Sequence, residues 1–160
     1  MSQQLPNNLI VNLDDEAASQ QLAKRLAARI KAPLTITFSG EIGTGKTTIV
    51  RAMLQQLGID SAIKSPTFSL VESYSWRGGA IHHFDLYRLQ QEEELEYLGF
   101  RDYFTPESIC CIEWPEHGGR SLPASDILFK LDIKGTGREL HCHAGSVAGE
   151  HIIAGLVGES

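Results

Sequence analysis

The sequence predicts an α/β protein of three layers, α/β/α, with a central sheet that mixes parallel and antiparallel strands. Three observations indicate this class. Apolar runs of strand length alternate with segments whose apolar residues recur at helical spacing, a glycine-rich loop joins one such strand to one such helix, and two glycine turns connect apolar runs as hairpins. With 160 residues, 42% of them hydrophobic, we expect residues 1–160 to form one domain.

The first part of the chain is predicted as helix, strand and helix. Asp14 is placed to cap the first helix, and Pro33 separates that helix from a strand over Leu34 to Phe38. The second helix follows the strand and ends at Gly58. The apolar faces consist of Leu22, Leu26, Ala27 and Ile30 in the first helix and of Ile49, Val50, Met53, Leu54 and Leu57 in the second. Both helices are therefore expected to pack on the sheet.

The middle of the chain begins with a predicted hairpin. Thr67 to Tyr74 and Ala80 to Leu86 form two apolar runs on either side of the glycine pair 78–79. A helix over Glu92 to Leu98 follows and stops at Gly99. These residues predict antiparallel pairing beside a parallel core.

The last third returns to strands. Ile109 to Ile112 reads as a short buried strand, and Ile127 to Ile133 pairs with Glu139 to Ala144 across the turn at 135–137. A short helix is predicted around His151 to Val157. The simplest assembly of all these elements is a mixed sheet with helices on both faces.

The loop from Gly40 to Thr48 matches the phosphate-binding pattern G-x-x-x-x-G-K-[ST] and lies between the predicted strand and helix. Its glycines let backbone N–H groups converge on an anion, and the helix adds the positive end of its dipole. Lys46 is placed to reach the outer phosphates, and the Thr47 hydroxyl to bind a bridging Mg²⁺. The nucleotide-binding candidates in the loop are Gly43, Thr44, Gly45, Lys46, Thr47 and Thr48. The fold is thus expected to be like that of the P-loop NTPases.

Two acidic residues follow apolar runs in the form that a Walker B strand takes. Glu113 ends the run from Ile109 to Ile112, and Asp85 ends the run that begins at Ala80. Hydrolysis needs a carboxylate near Mg²⁺ and a group that orients the attacking water. Either acid can hold the metal while the other positions water or the γ-phosphate, and the residues alone leave these two roles unassigned.

Composition narrows the function classes further. The net charge of −6 argues against a large basic surface, so contact with nucleic acid is expected to run through a partner protein. No segment approaches the length of a membrane span, and residues 1–8 lack the features of a signal peptide, which predicts a cytoplasmic protein. The cysteines are interpreted as reduced packing residues: Cys110, Cys111 and Cys142.

Two pairs of histidines are candidates for metal ligands. His82 and His83 are consecutive strand residues that point to opposite faces, so we expect one to be packed and the other exposed. His141 and His143 share a face, but no Asp, Glu or Cys at ligand spacing joins them. Packing and surface roles are therefore favoured over metal binding for both pairs.

Five segments, taken in order, carry a resemblance to a known family. They are Gly40 to Thr48, Ser65-Pro66-Thr67-Phe68, His83 to Leu89, Leu98-Gly99 with Tyr103, and Ile112-Glu113-Trp114. Over about residues 9 to 140 the chain resembles the TsaE family, also called YjeE. The resemblance implies a small ATPase required for the threonylcarbamoyl modification of adenosine 37 in tRNAs that read codons starting with A. It also implies ATP and Mg²⁺ as cofactors, TsaB and TsaD as partners, and contact with tRNA only through that assembly.

The resemblance also implies roles for individual residues. Lys46 resembles the phosphate lysine, and Thr47 and Glu113 resemble the Mg²⁺ ligands. Asp85 resembles the acid beside the γ-phosphate and its water. Thr67 resembles a switch residue whose hydroxyl senses the γ-phosphate, so that the nucleotide state changes the protein surface.

Further residues are implied at the nucleotide. Trp114 belongs to the same motif as Glu113. Asn12 and Glu16, at the entrance to the first predicted helix, resemble positions that approach the adenosine, and Arg138 near the second hairpin is a further candidate.

Two other functions compete with a regulatory ATPase. A small-molecule P-loop kinase needs an arginine-rich lid, whereas only Arg120 and Arg138 follow Glu113. An ATP-sensing module without catalysis fits the absence of an obvious arginine finger, for which Arg88 and Arg101 are the candidates. No N-K-x-D guanine signature occurs, so the preference for adenine rests on the resemblance.

Overall fold

The computed structural model describes residues 7–41, 43–59 and 62–157. Residues 1–6 and Ile42 of the glycine-rich loop lie outside these ranges. The prediction that the chain begins without a signal peptide therefore falls largely outside the described residues. The strands are β1 (Asn8–Leu13), β2 (Leu34–Ser39), β3 (Val71–Trp76), β4 (Gly79–Asp85), β5 (Ser108–Glu113), β6 (Ile127–Lys134) and β7 (Gly137–Ala144). The helices are α1 (Glu16–Arg29), α2 (Lys46–Gln56), α3 (Glu93–Leu98) and α4 (Val147–Leu156), with 3₁₀ segments at Phe100–Tyr103 and Pro115–Ser121.

The seven strands form one mixed sheet in the order β1-β7-β6-β2-β5-β4-β3. Its centre is parallel, because β2 pairs with β5 and β6, and β4 pairs with β5 in the same direction. The two flanks are antiparallel, with β3 on β4 at one edge and β6, β7 and β1 at the other. The prediction of a mixed sheet with two hairpins is confirmed.

Each face of the sheet is covered by its own apolar core. The larger core packs α1, α2 and α4 against one face, and the smaller core packs α3 and the 3₁₀ segment Phe100–Tyr103 against the other. Strand alternation divides β5 between them, because Cys111 belongs to the larger core and Cys110 and Ile112 to the smaller one. The three layers predicted from the sequence are therefore present.

The amino-terminal edge differs from the sequence prediction in two ways. Asp15 rather than Asp14 caps α1, and its Oδ1 accepts the Ala18 N–H at 2.9 Å. The residues before this cap form strand β1, which alternates exposed and partly buried side chains against β7. Asn12 consequently lies in a strand and not at the helix entrance, because pairing with Glu139 of β7 fixes its backbone as extended.

The strand predicted over Thr67 to Tyr74 begins later, at Val71. Leu70 has a φ of 68°, which interrupts the extended backbone, and its N–H bonds to the Pro66 carbonyl instead of to β4. Residues 67–69 are therefore a turn that leads into β3.

The last helix also differs from the prediction of His151 to Val157. It begins at Val147, because the Ser146 hydroxyl caps it by accepting the Gly149 N–H at 3.2 Å, and it ends at Leu156. None of the helices in the described part of the chain combines the length and the apolar character needed to span a bilayer.

The adjacent histidines of β4 are both buried, so the expectation that one is exposed is wrong. His82 is 9% exposed and His83 is 2% exposed. They do point to opposite faces, but α-helical or 3₁₀ elements cover both faces of the sheet at this strand. The cysteines agree with the prediction of reduced packing residues: all three are buried free thiols, and burial raises the pKa of Cys110 and of Cys142 to about 12.

Candidate nucleotide-binding site

The glycine-rich loop connects the end of β2 directly to the start of α2. Gly45 is the residue before the helix and has a φ of 101°, a left-handed conformation that residues with a Cβ rarely adopt. Because a left-handed residue turns the chain sharply into the helix, the first N–H groups of α2 face the loop. The amino end of α2, with its partial positive charge, is thereby presented to an anion bound in the loop.

Lys46 is the first residue of α2 and is buried, at 5% exposure. Its Nζ donates to the carbonyl oxygens of Gly40 and Glu41, and it lies 4.1 Å from the centroid of the Trp114 ring. Burial lowers the pKa of Lys46, and the nearby carboxylates, with Glu113 the strongest, act in the opposite direction. The ammonium group therefore lies inside the curve of the loop, where a phosphate-binding lysine belongs.

Thr47 and Glu113 form the contact that links the loop to the neighbouring strand. The Thr47 hydroxyl lies 2.8 Å from Oε1 and 3.0 Å from Oε2 of Glu113, whose side chain is almost fully buried at the end of β5. A threonine hydroxyl has one proton and two lone pairs, so donating its proton to the carboxylate leaves a lone pair for a cation. Hydroxyl and carboxylate oxygens are ligands suited to Mg²⁺, so this donor set fits the expected ion.

Asp85 ends β4 directly beside Glu113, because the two residues are register partners in the parallel pair of β4 and β5. Its Oδ1 accepts the Tyr87 N–H at 3.0 Å. Burial raises the pKa of Asp85, and the neighbouring Glu113 raises it further, while the Tyr87 hydrogen bond, His83 and Lys46 oppose the shift. The position thus favours a carboxyl group that binds a proton more readily than an exposed aspartate does.

Thr67 lies in the turn that precedes β3, and its hydroxyl is 2.7 Å from that of Ser65. The same turn is joined to the site through the backbone, since the Asp85 N–H donates to the Leu70 carbonyl at 2.9 Å. A displacement of the turn would therefore reach Asp85 through this hydrogen bond.

Two pockets flank the loop. The first, here called the acidic pocket, has a volume of about 390 Å³. Its lining residues are Gly43, Gly45, Lys46, Thr47, Thr48, Thr67, Asp85, Tyr87, Glu113 and Trp114. All four residues predicted as catalytic, Lys46, Thr67, Asp85 and Glu113, therefore meet in one space.

The second, here called the α1-side pocket, lies across the loop and has a volume of about 370 Å³. Among its lining residues are Glu16 from α1, Thr44, Gly45 and Thr48 from the loop and α2, and Arg138 from β7. The lining of the two pockets does not include Asn12, whose exposed side chain lies on β1. Gly45 and Thr48 border both pockets, so together the two pockets form a continuous surface around the loop.

Arg138 contacts the backbone of the loop. Its Nε donates to the Thr44 carbonyl at 3.1 Å and its Nη2 to the Gly43 carbonyl at 3.0 Å. A peptide group whose carbonyl points toward Arg138 directs its N–H the opposite way, away from Arg138. Arg138 therefore fixes the orientation of two peptide groups of the loop, a role that the sequence pattern did not indicate.

Some residues of the site could not be found from the sequence. Leu13, Ser19, Thr136 and Gly137 of the α1-side pocket belong to none of the functional motifs identified in the sequence. Tyr87 of the acidic pocket lies within a segment that carries the family resemblance, but no role was predicted for it. The contact of His83 with the site was also not predicted: its Nε2 lies 2.5 Å from Glu113 Oε2. Strand alternation was the available signal, because residues 83 and 85 must share a face.

Within the described ranges, no group of three or more His, Cys, Asp or Glu side chains is arranged to hold a metal ion. The two predicted protein ligands, Thr47 and Glu113, are compatible with Mg²⁺, which commonly keeps waters and phosphate oxygens in its remaining positions. The expectation that no acidic residue joins His141 is wrong, because its Nε2 lies 2.8 Å from Glu139 Oε1 and 3.8 Å from Asp132 Oδ2.

The fold and the loop define the class of the chain: an α/β protein with a P-loop-like fold. A comparison with family models then identifies the family. The model of TsaE, described as threonylcarbamoyl adenosine biosynthesis protein TsaE, matches residues 13–140, and the chain therefore belongs to the TsaE family.

Individual relatives agree with this assignment. The tRNA threonylcarbamoyladenosine biosynthesis protein TsaE of Haemophilus influenzae is 41% identical over 147 residues, which cover 89% of this chain and 93% of the relative. The protein of the same name from Aquifex aeolicus is 35% identical over 125 residues, covering 77% and 86% of the two chains. The crystal structure of YdiB from Bacillus subtilis superposes with a TM-score of 0.75 over 95% of each chain at 24% identity, which confirms the fold.

Proposed function

We propose that this protein is a Mg²⁺-dependent ATPase that acts with TsaB and TsaD to form the threonylcarbamoyl group on adenosine 37 of tRNA. The pathway follows from membership of the TsaE family, whose description names threonylcarbamoyl adenosine biosynthesis. ATP binding and slow hydrolysis would regulate or reset the transfer assembly. With a net charge of −6, the chain would meet tRNA through its partners.

The observation that carries the nucleotide proposal is the contact between Thr47 and Glu113. It brings the first turn of α2, just after the glycine-rich loop, against a buried carboxylate on the neighbouring parallel strand. This is the pair of groups that a Mg²⁺–nucleotide complex requires: a hydroxyl at the loop and a carboxylate beside it. Mg²⁺ bound there would neutralise charge on the phosphate oxygens.

Asp85 is proposed to orient the attacking water. It lies next to Glu113 and lines the same pocket as Lys46 and Thr67. Because its position disfavours the charged form, Asp85 is suited to accept a hydrogen bond or a proton from water as hydrolysis proceeds.

Thr67 is proposed to relay the nucleotide state. Thr67 lines the acidic pocket, and the adjacent Phe68 side chain is 83% exposed. A contact between Thr67 and the γ-phosphate would hold the turn, and its loss after hydrolysis would release it. The exposed Phe68 would then transmit the change to the surface that a partner protein meets.

The direct test is Mg²⁺-dependent ATP hydrolysis by the purified chain, alone and with TsaB and TsaD added, with Lys46→Ala and Glu113→Ala as inactive controls. We expect low activity alone, an increase with the partners, and loss of activity in both variants. Hydrolysis that the partners leave unchanged would contradict the proposed regulation.

A further inference from the structure

The two adjacent histidines of β4 have different surroundings. His83 is buried on the face that carries the site, and its Nε2 lies 2.5 Å from Oε2 of Glu113. His82 points to the other face, where its Nδ1 meets the Ser73 hydroxyl at 2.7 Å and its ring packs edge-on against Tyr103. One histidine thus touches the machinery proposed for Mg²⁺, and its neighbour does not.

The register of the sheet places His83 and Glu113 within reach of each other. His83 pairs with Cys111, and two residues further along Asp85 pairs with Glu113. Side chains two residues apart in a strand lie on the same face, so His83 and Glu113 are diagonal neighbours across two parallel strands. A carboxylate only accepts hydrogen bonds, so Nε2 of His83 is the donor.

The other ring nitrogen of His83 has no partner. Among the described residues, His83 Nδ1 is the buried side-chain nitrogen or oxygen that makes no hydrogen bond. A buried polar atom without a hydrogen bond is destabilising. An apolar side chain could fill this position without leaving a buried polar atom unsatisfied. What a histidine adds here is the hydrogen bond to Glu113.

We infer that His83 is a positioning residue that holds the Glu113 carboxylate in the orientation needed for Mg²⁺. The carboxylate is fixed from two sides, by the Thr47 hydroxyl and by His83 Nε2. Partners of this kind orient metal ligands and strengthen their basicity, and their loss typically lowers metal affinity about 10- to 100-fold. The inference rests on the proposed function, because it concerns the Mg²⁺ bound with the nucleotide.

The length of the side chain provides the test. In Gln the amide nitrogen is as many bonds from Cβ as Nε2 is in His, whereas in Asn it corresponds to Nδ1. His83→Gln can therefore keep the donor at Glu113, and His83→Asn cannot. His82→Asn is the matched control for His83→Asn, because it makes the same change at the adjacent buried histidine on the opposite face.

The measurement is the dissociation constant of a non-hydrolysable ATP analogue, determined in Mg²⁺ and in EDTA for the full chain and each variant. The ratio of the two constants reports the contribution of Mg²⁺ and is insensitive to a partly unfolded fraction, which affects both values equally. Thermal unfolding of each variant checks the fold. The concentration of Mg²⁺ giving half of the full effect is a second readout that does not depend on turnover.

We expect His83→Asn to lower the ratio of the dissociation constant in EDTA to that in Mg²⁺ about 10-fold. The half-saturating Mg²⁺ concentration should rise, and the dissociation constant in EDTA should stay unchanged. His83→Gln and His82→Asn should keep the wild-type ratio. A wild-type ratio in His83→Asn would overturn the inference, and so would an equal loss in His82→Asn. A wild-type chain that binds the analogue equally with and without Mg²⁺ would instead overturn the proposed Mg²⁺ dependence itself, and this inference with it.

Discussion

The two pockets that flank the glycine-rich loop are built in different ways. The acidic pocket lies where the parallel strands β2, β4 and β5 end, and its polar side chains are held by side-chain contacts: Glu113 contacts Thr47 in the pocket and the buried His83 beside it. The α1-side pocket lies between α1, the loop and the antiparallel hairpin of β6 and β7. There Arg138 contacts backbone carbonyls of the loop. Contacts between side chains thus hold the acidic pocket together, whereas in the α1-side pocket a side chain holds the backbone of the loop.

This difference separates two kinds of effect. Substitutions in the acidic pocket change groups that would meet Mg²⁺, the γ-phosphate or water, so they should alter hydrolysis and metal dependence. Substitutions in the α1-side pocket should alter how tightly any nucleotide binds, with or without Mg²⁺. The predictions below test this division, from the largest expected effect to the smallest.

Asp85→Asn should have the largest effect on hydrolysis. Asn retains the shape and can still accept the Tyr87 N–H, but it cannot take a proton from water. We expect kcat to fall about 100-fold or more, with the dissociation constant for ATP within a few-fold of wild type. Steady-state hydrolysis and equilibrium nucleotide binding measure the two quantities, with Asp102→Asn, at an exposed position of the 3₁₀ segment Phe100–Tyr103, as the control.

The same variant separates the alternative functions. A small-molecule kinase would lose transfer to an acceptor, and an ATP-sensing module would show no catalytic change in Asp85→Asn. Equal losses of binding and hydrolysis would contradict the division between the pockets, because they would give Asp85 a role in holding the nucleotide.

Arg138→Lys should weaken nucleotide binding about as much as Arg138→Ala does. A lysine keeps the charge but lacks the planar fork that spans the Gly43 and Thr44 carbonyls. Loss of these charged hydrogen bonds should raise the dissociation constant about 10-fold, equally in Mg²⁺ and in EDTA. Calorimetric titration with a nucleotide analogue measures it, and Arg77→Lys in the hairpin of β3 and β4 is the control. If lysine restores binding, Arg138 acts as a charge at the nucleotide and not through the loop.

The charged form of Asp85 should also lower the free energy of unfolding at neutral pH, compared with an uncharged residue at this position. Because its pKa is raised in the folded state, that state binds the proton more strongly than the unfolded chain, so stability falls as pH rises through the raised pKa. Asp85→Asn should therefore raise Tm by a few degrees near pH 7, and the difference should shrink as pH approaches the ordinary pKa of aspartate, 3.8.

Thermal unfolding across this pH range checks the sign. A gain in Tm that is the same at every pH would show that the effect does not come from the ionisation of Asp85. A stabilised but inactive variant would mean that the acidic pocket keeps its buried charge for function at the expense of stability.

The acidic pocket was largely predictable because every part of it follows a local pattern. The loop has a fixed spacing of glycines, lysine and threonine, and Asp85 and Glu113 each end an apolar strand. Parallel strands ending at one edge of a sheet bring such residues together without further information. The contact of His83 with Glu113 required the register of β4 on β5, which the sequence does not state.

The α1-side pocket was less predictable because its parts are far apart in sequence. Arg138 reaches Thr44 across 94 residues, a contact set by the packing of the β6 and β7 hairpin beside the loop. Strand β1 has only a weak alternation of apolar residues, and it becomes a strand because β7 offers an edge to pair with. The position of Asn12 in β1 follows from that pairing, and its approach to the nucleotide stays a prediction.

Glu16, which lines the α1-side pocket, and Asn12, which does not, provide the smallest and most specific comparison. Both were implied to approach the adenosine, but Glu16 lines the pocket, and Asn12 is exposed on β1 opposite Glu139. Glu16→Gln should raise the dissociation constant for ATP by about two- to five-fold, as expected for one exposed hydrogen bond to a charged acceptor, and Asn12→Ala should change it less. Competition between ATP and GTP for each variant makes the comparison sharper, because a residue that contacts the base alters their ratio. If Asn12→Ala has the larger effect, the nucleoside lies along β1 and not in the pocket beside α1.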